Sequence, residues 1–362
     1  MSTFGKALPV SLFGESHGAM IGLTLHDFPG GVKLDISALQ EALNKRKAKS
    51  YIDTKRHEDD TLEIVSGFSN GITTGEPLTF IVKNTNTKST DYTPFHLRPS
   101  HADYPAYMRF NGNYDYKGGG HFSGRLTAML VVLGALSKQV LAKRNIKVYS
   151  HIHQVHTLKG QSFYDAALKE AQLEALETAD YPVISPEDFT RFQTKIHRTQ
   201  LEGDSLPGIT ETMITGLQVG YGEPFFDKVE ALISHLVMSI PAAKAISFGR
   251  GFDLIALKGS EANDPMRIKN DTVITTKNDM GGLTGGLTNG NPVIFKTLFK
   301  ATPSIAKPQK TVNLKTRENI TLTLKGRHDP CLTMRAVHVV TAVSYYAMLE
   351  LICRKEGKLW IH

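Results

Sequence analysis

Cysteine is nearly absent from this chain. Its 362 residues contain two, Cys331 and Cys353, and no Cys-x-x-Cys pair. That excludes a disulfide framework and the common cysteine-based zinc modules, and it suits reduced thiols in a cytoplasmic protein. Long apolar runs are missing as well. The longest, Ala128 to Leu136, is about nine residues, against the roughly 20 that cross a bilayer as a helix. The segment Met1-Ser2-Thr3-Phe4-Gly5-Lys6 has no basic stretch leading into an apolar one, so neither a signal peptide nor a membrane partner is expected. Aromatic residues are not interleaved with basic ones, and no nucleic-acid-binding module is visible, which argues against a nucleic-acid partner. No Gly-x-Ser-x-Gly marks a serine nucleophile. No Walker-type or dinucleotide-type glycine pattern occurs either.

What is present is an ordinary globular composition, 41% apolar and 21% charged, which excludes wholesale disorder. Length allows either about two domains or one large unit. No linker and no internal repeat divides the chain. The formal net charge of +7 suits an anionic ligand. Short apolar strands are expected at 21–28, 62–65, 78–82, 146–155, 213–219, 292–299 and 320–324. A helix should follow Asp35, a good N-cap, with Ile36, Leu39 and Leu43 on one face. Two further helices, 125–141 and 336–353, are apolar nearly all round and should be buried. A fourth shows a 3.6-residue period from Val229 to Ile240 and stops at Pro241. Residues 164–192 suggest polar, exposed helices. Buried helices among many short strands point to helices sandwiched by sheets.

Four polar, glycine-rich segments exceed what packing needs. The first is Gly14-Glu15-Ser16-His17-Gly18, which offers a loop-held histidine for proton transfer. The second joins Arg98-Pro99-Ser100-His101-Ala102-Asp103-Tyr104 to Asp115-Tyr116-Lys117-Gly118-Gly119-Gly120-His121. There, three glycines run toward a helix N-terminus, a favourable place for an anion; a plain loop is the simpler account of the glycines alone. The third comprises 259–264 and 281–290, then Lys300-Ala301-Thr302-Pro303-Ser304, with an ammonium and two hydroxyls suited to phosphate. The fourth is Arg327-His328-Asp329-Pro330-Cys331, in which Asp329 either serves chemistry or caps the last helix. His151, His153 and His156 share one strand without a usual zinc spacing, and no metal is assigned to them. The basic run 45–49 reads as a solvated helix end or a phosphate grip, with Lys55-Arg56-His57 close by.

Taken in order, these segments resemble chorismate synthase, through Gly-Glu-Ser-His-Gly at 14–18, Arg-Pro-x-His-Ala-Asp-Tyr at 98–104 and Asp-Tyr-x-Gly-Gly-Gly at 115–120. Further matches are Gly-Asp-Ser at 203–205, Gly-Ser-Glu-x-Asn-Asp at 259–264 and Gly-Gly-x-x-Gly-Gly-x-x-Asn-Gly at 281–290. Lys-x-Thr-x-Ser-Ile at 300–305 and Arg-His-Asp-Pro-Cys at 327–331 complete the set. The resemblance covers nearly the whole chain and implies one domain over 1–362. It implies an α+β fold, a β-α-β sandwich with helices between antiparallel sheets, assembled as a homotetramer.

The activity implied is that of a carbon–oxygen lyase, the anti-1,4-elimination of phosphate from 5-enolpyruvylshikimate 3-phosphate. The product is chorismate, at the end of the shikimate pathway. The reaction requires reduced FMN without net redox change. NADPH acting on the chain itself, or a separate flavin reductase, would supply the reductant. By the resemblance, His17, His101 and Asp329 are catalytic. FMN would meet His121, Phe122, Ser123, Ala242, Gly285, Lys300, Ala301, Thr302, Pro303, Ser304 and Arg327. Arg46, Arg125 and Arg335 would hold substrate or NADP. The chain departs from the common pattern in several places. His121-Phe122-Ser123 stands where Arg-Ser-Ser is usual, and Leu126 where Glu is. Pro241 replaces Asn, and His338 and Thr341 replace Pro and Glu. The loop after Arg46 carries fewer arginines. The competing reading is a diverged paralogue that binds flavin or another anion without turnover.

Overall fold

The computed structural model describes residues 2–54, 59–85, 93–324 and 328–362. Two five-stranded antiparallel sheets flank a layer of helices. The first sheet runs Thr3–Phe4, Val10–Gly14, Met20–Leu25, Leu78–Lys83, Leu62–Ser66 in spatial order. The second runs Ala243–Phe248, Val293–Phe299, Gly208–Thr215, Lys147–Val155, Leu158–Lys159. The α+β sandwich is the expected architecture.

The helices, in chain order, are α1 (Ile36–Arg46), α2 (Asp103–Arg109), α3 (Thr127–Ala142), α4 (Glu170–Thr178), α5 (Pro186–Leu201), α6 (Val229–Met238), α7 (Gly259–Ala262) and α8 (Thr333–Glu356). Asp35 caps α1 as its chemistry predicts, its carboxylate accepting from Ala38 N–H at 3.1 Å. This satisfies one of the amides that a helix start leaves without an intrahelical partner. α3 and α8 run side by side in the middle layer. They meet closely because Gly134 faces Ala342, and a Cβ on Gly134 would stand 2.3 Å from the Ala342 Cα.

By length and composition, α8 and the stretch 124–142 could each cross a membrane, but 89% and 72% of their most apolar windows are buried inside the protein. Their apolar surface is covered by each other, by α1 and α6 and by the two sheets, as the all-round pattern predicts. α8 also ties the two ends of the sandwich together. Glu350, fully buried, accepts from the backbone N–H groups of Lys6, Ala7 and Leu8.

Three expectations are corrected. The strand read at 213–219 lies at Gly208–Thr215, because its first half buries Thr210, Glu211 and Thr212, residues without an apolar signature. Asp329 does not cap α8, whose N-cap is Leu332. The three glycines do not lead straight into α3 either. A short 3₁₀ turn, Gly124–Leu126, stands between them.

Candidate active site

One cavity of about 780 Å³ opens between the first sheet, the 98–125 region, the end of α6 and the first halves of α3 and α8. Its polar half is lined by His17, Arg46, Thr54, Arg98, His101, Arg125, Lys300, His328, Asp329 and Arg335. Its apolar half includes Leu130, Leu133, Leu236, Ile240 and Val343. Such a vessel, with a few convergent polar groups against an apolar wall, is the form expected of a small-molecule site.

The glycine run brings the two histidines together. Gly118, Gly119 and Gly120 all have positive φ, between 52° and 87°, a region that side chains with a Cβ enter only at a cost. A Cβ on Gly118 would lie 2.3 Å from the His17 ring, and one on Gly119 would lie 3.4 Å from the His101 ring. Consecutive glycines are therefore packed against both imidazoles, which explains the run better than loop flexibility does.

His101 is set by a relay. Its Nδ1 pairs with Asp103 Oδ1 at 2.8 Å. Arg98 grips the same carboxylate twice, Nε to Oδ2 and Nη2 to Oδ1, both at 2.7 Å. Burial would raise the Asp103 pKa, but the bonds from Arg98 and His101 outweigh it and hold the group well below the ordinary carboxylate range. Burial lowers the His101 pKa below its ordinary value, and the Asp103 bond only partly opposes this. His101 is thus a neutral imidazole at neutral pH. A proton on Nδ1 toward Asp103 leaves Nε2 as an acceptor.

The cations are held by their own partners. Arg46 is buried, with Nε on Thr127 Oγ1 at 3.0 Å and Nη2 on the Gly124 carbonyl at 2.7 Å. Arg125 donates to Asp60 and to Asn84. Arg335 pairs with Asp329 at 3.0 Å and donates Nε to the Arg46 carbonyl. Thr54 N–H also donates to Asp329 Oδ1, at 3.2 Å. Lys300 donates to the Ser100 carbonyl, which joins the third segment to the second. Burial, then Lys244, depresses the Lys300 pKa.

Most residues expected from the sequence meet here: His121, Phe122, Ser123, Ala242, Lys300, Thr302, Pro303 and Ser304 also line the cavity. Two do not. Gly285 lies in the small hairpin beside α6, and Ala301 is not among the lining residues. Arg327 and the cluster Lys55-Arg56-His57 lie outside the described residues. His121 bonds Ser2 Oγ at 3.0 Å, which brings the first strand over the rim. His328 of the fourth segment lines the cavity too; the pairing of Arg98 with Asp103 and the part played by Thr54 have no local signal, although the motif 98–104 contains both halves of the relay. His151 and His153 lie outside the cavity. They cluster with Glu211, whose carboxylate is occupied by His151, Ser162, Phe163 N–H and Lys296.

A sandwich of two antiparallel sheets around buried helices, with a cationic cavity lined by His17, His101 and Asp329 among others, has the form of an enzyme for a small molecule. The family model described as chorismate synthase matches residues 8–353. A chorismate synthase of Korarchaeum cryptofilum is 39% identical over 356 residues, covering 97% of each chain. One of Phocaeicola vulgatus is 39% identical over 352 residues, covering 96% of this chain and 97% of its own. A solved structure titled "Crystal Structure of Chorismate Synthase" shares the fold, with TM-score 0.77 at 23% identity over 98% of this chain and 94% of that one. The chain belongs to the chorismate synthase family.

Proposed function

We propose that this enzyme converts 5-enolpyruvylshikimate 3-phosphate to chorismate and inorganic phosphate by anti-1,4-elimination, a lyase reaction of the shikimate pathway. The reading includes one domain over 1–362, a cytoplasmic homotetramer and a site that also takes reduced FMN. The observation that carries it is the packing of His17 and His101 against adjacent glycines on one wall of a cationic cavity.

The substrate bears one phosphate and two carboxylates, so its binding needs fixed positive charge. Arg46, Arg125 and Arg335 supply it from positions that their hydrogen bonds hold in place. Pre-positioned charge spares the cost of ordering side chains when the ligand arrives. Phosphate leaves with the C–O bonding electrons, and a group that gives it a proton lowers the barrier. His17 has that role, since its ring reaches the cavity beside Gly118. The proton lost from C6 needs an acceptor, and Asp329, held by Arg335 and Thr54, belongs to that step. His101, oriented by Asp103, accepts or shares a proton at the cofactor edge.

The donor set also fits FMN. Ser123, Lys300, Thr302 and Ser304 offer hydroxyls and an ammonium for a phosphate, and Leu130, Leu133, Leu236 and Ile240 of the same cavity would take a flat apolar ring. Reduced FMN, when bound, supplies electron density that weakens the allylic C–O bond. NADPH or a separate reductase would keep it reduced.

The test is anaerobic incubation of the protein with chemically reduced FMN and 5-enolpyruvylshikimate 3-phosphate. Chorismate absorbance and phosphate release should rise together. Flavin binding with neither product would instead support a diverged paralogue and direct attention to His121, Phe122, Leu126 and Pro241.

A further inference from the structure

One row across the second sheet gathers three ligand-type side chains away from the cavity. His151 stands opposite Glu211 in the strand register, and Glu211 stands opposite Lys296. The pairing of Lys147–Val155 with Gly208–Thr215 slips between Ile209 and Thr210, which leaves His153 without a partner residue in the facing strand. An irregularity of this kind re-aims a side chain. The His153 ring stands 5.8 Å from that of His151 and nearly perpendicular to it. One ligand atom from each of His151, His153 and Glu211 lies within 4.8 Å of the other two, and all three residues are buried.

We propose that His151, His153 and Glu211 bind one divalent transition-metal ion of the zinc class, which ties the segment 160–163 to the sheet.

The donors are prepared as metal ligands are. His153 Nδ1 meets the Gln161 carbonyl at 3.0 Å, so that nitrogen carries the proton and Nε2 keeps its lone pair. Metal-binding histidines are oriented in this way, by an oxygen on the other ring nitrogen. Gln161 is fixed in turn by Asp188 of α5, whose Oδ2 accepts from its amide at 3.0 Å. Glu211 Oε2 accepts from the Phe163 N–H and Oε1 from the Ser162 hydroxyl, both at 2.7 Å.

His151 Nε2 meets Glu211 Oε2 at 3.0 Å, while its Nδ1 is buried and finds no hydrogen-bond partner among the described residues. An ion that takes Nε2 and Oε2 replaces the proton between them, and Nδ1 is the atom to which that proton moves. Two ligand atoms about 2.0 Å from one tetrahedral ion lie roughly 3.3 Å apart, close to the spacing already present. Two imidazoles and a carboxylate, with water in the fourth position, are a donor set that zinc takes. A cluster of polar groups that merely satisfy one another would not leave His151 Nδ1 buried and unmatched, which is costly.

Lys296 competes with the ion. Its Nζ lies 3.4 Å from Glu211 Oε1, and its side chain is 20% exposed, so it can turn to solvent when a metal arrives.

The experiment uses the full chain, stripped with a chelator and titrated with Co²⁺ by visible absorption, then with Zn²⁺ as competitor. The parent should take up one equivalent of Co²⁺ with the spectrum of a four-coordinate ion. Zn²⁺ should displace it and raise the melting temperature. His153→Gln should weaken binding by about tenfold or more. His17→Ala and His101→Ala should leave the titration as it is, which separates this site from the histidines of the cavity. Lys296→Met should tighten binding about threefold or more, because an ammonium no longer competes for Glu211. This variant also decides the matter if His153→Gln does not fold, since unaltered affinity in it overturns the assignment. No saturable uptake by the parent, or uptake indifferent to His153→Gln, overturns it too. None of the three ligands lines the cavity, so the outcome is independent of whether the protein forms chorismate.

Discussion

His101 and Asp103 are two residues apart, yet they form one chemical unit. The carboxylate fixes which ring nitrogen faces the cavity, and Arg98 fixes the carboxylate. His17→Ala and His101→Ala should each lower turnover by roughly 10- to 10⁴-fold, the range for proton-transfer groups, while circular dichroism and melting temperature stay near those of the parent. Unchanged turnover in either would remove that residue from the mechanism. Asp103→Asn addresses the sign of the electrostatics. Asp103 favours the protonated imidazole, so its loss makes protonation harder. Any limb of the pH–rate profile that reports His101 should move further below the ordinary histidine value, in the direction in which burial already pushes it. A shift to higher pH would contradict the relay.

Among the elements, α3 and α8 meet with little tolerance. Gly134→Ala places a methyl 2.3 Å from the backbone of Ala342 and 2.4 Å from its Cβ. Overpacking of this kind typically costs about 1–3 kcal/mol. Thermal unfolding should show a lowered melting temperature, with activity retained per folded molecule. The helices were legible in the sequence because their signals are local. Asp35 before Ile36, the 3.6-residue period of α6, and the all-round apolarity of α3 and α8 each follow from neighbours along the chain. The strand Gly208–Thr215 was not placed correctly, since the partners that make its polar residues burial-competent come from elsewhere. Ser150 meets Thr212, and His151 with Ser162 meets Glu211. The candidate site shows the same division. His17, His101 and Asp329 stood out by motif. Thr54 did not, because the carboxylate it serves, Asp329, is 275 residues away.

For the whole molecule, acid should act through the second sheet as well as through the cavity. Burial raises the Glu211 pKa, but His151, Ser162 and the Phe163 amide outweigh it and bring it to about 2 from an ordinary 4.5. A depressed carboxylate contributes stability that is complete above its unfolded value and is lost as pH falls through its folded value. The melting temperature should therefore decline between about pH 5 and pH 2. Glu211→Gln should flatten that decline while lowering stability at neutral pH. An equally steep decline in the variant would place the acid sensitivity elsewhere.

The bonds from Glu350 to Lys6, Ala7 and Leu8 bear on how the chain is made. Synthesis proceeds from the first strand toward α8, so the two sheets leave the ribosome before the helix that fills the space between them. Until α8 arrives, the inner face of Lys147–Val155 lacks the helix that packs most on it, and the part of the cavity wall that carries Arg335 does not exist. The nascent protein therefore carries incompletely covered apolar sheet until its last long helix is made, a state that invites chaperone capture and aggregation. Completion of one late helix then closes the core, joins the two ends of the chain and finishes the cavity in a single event.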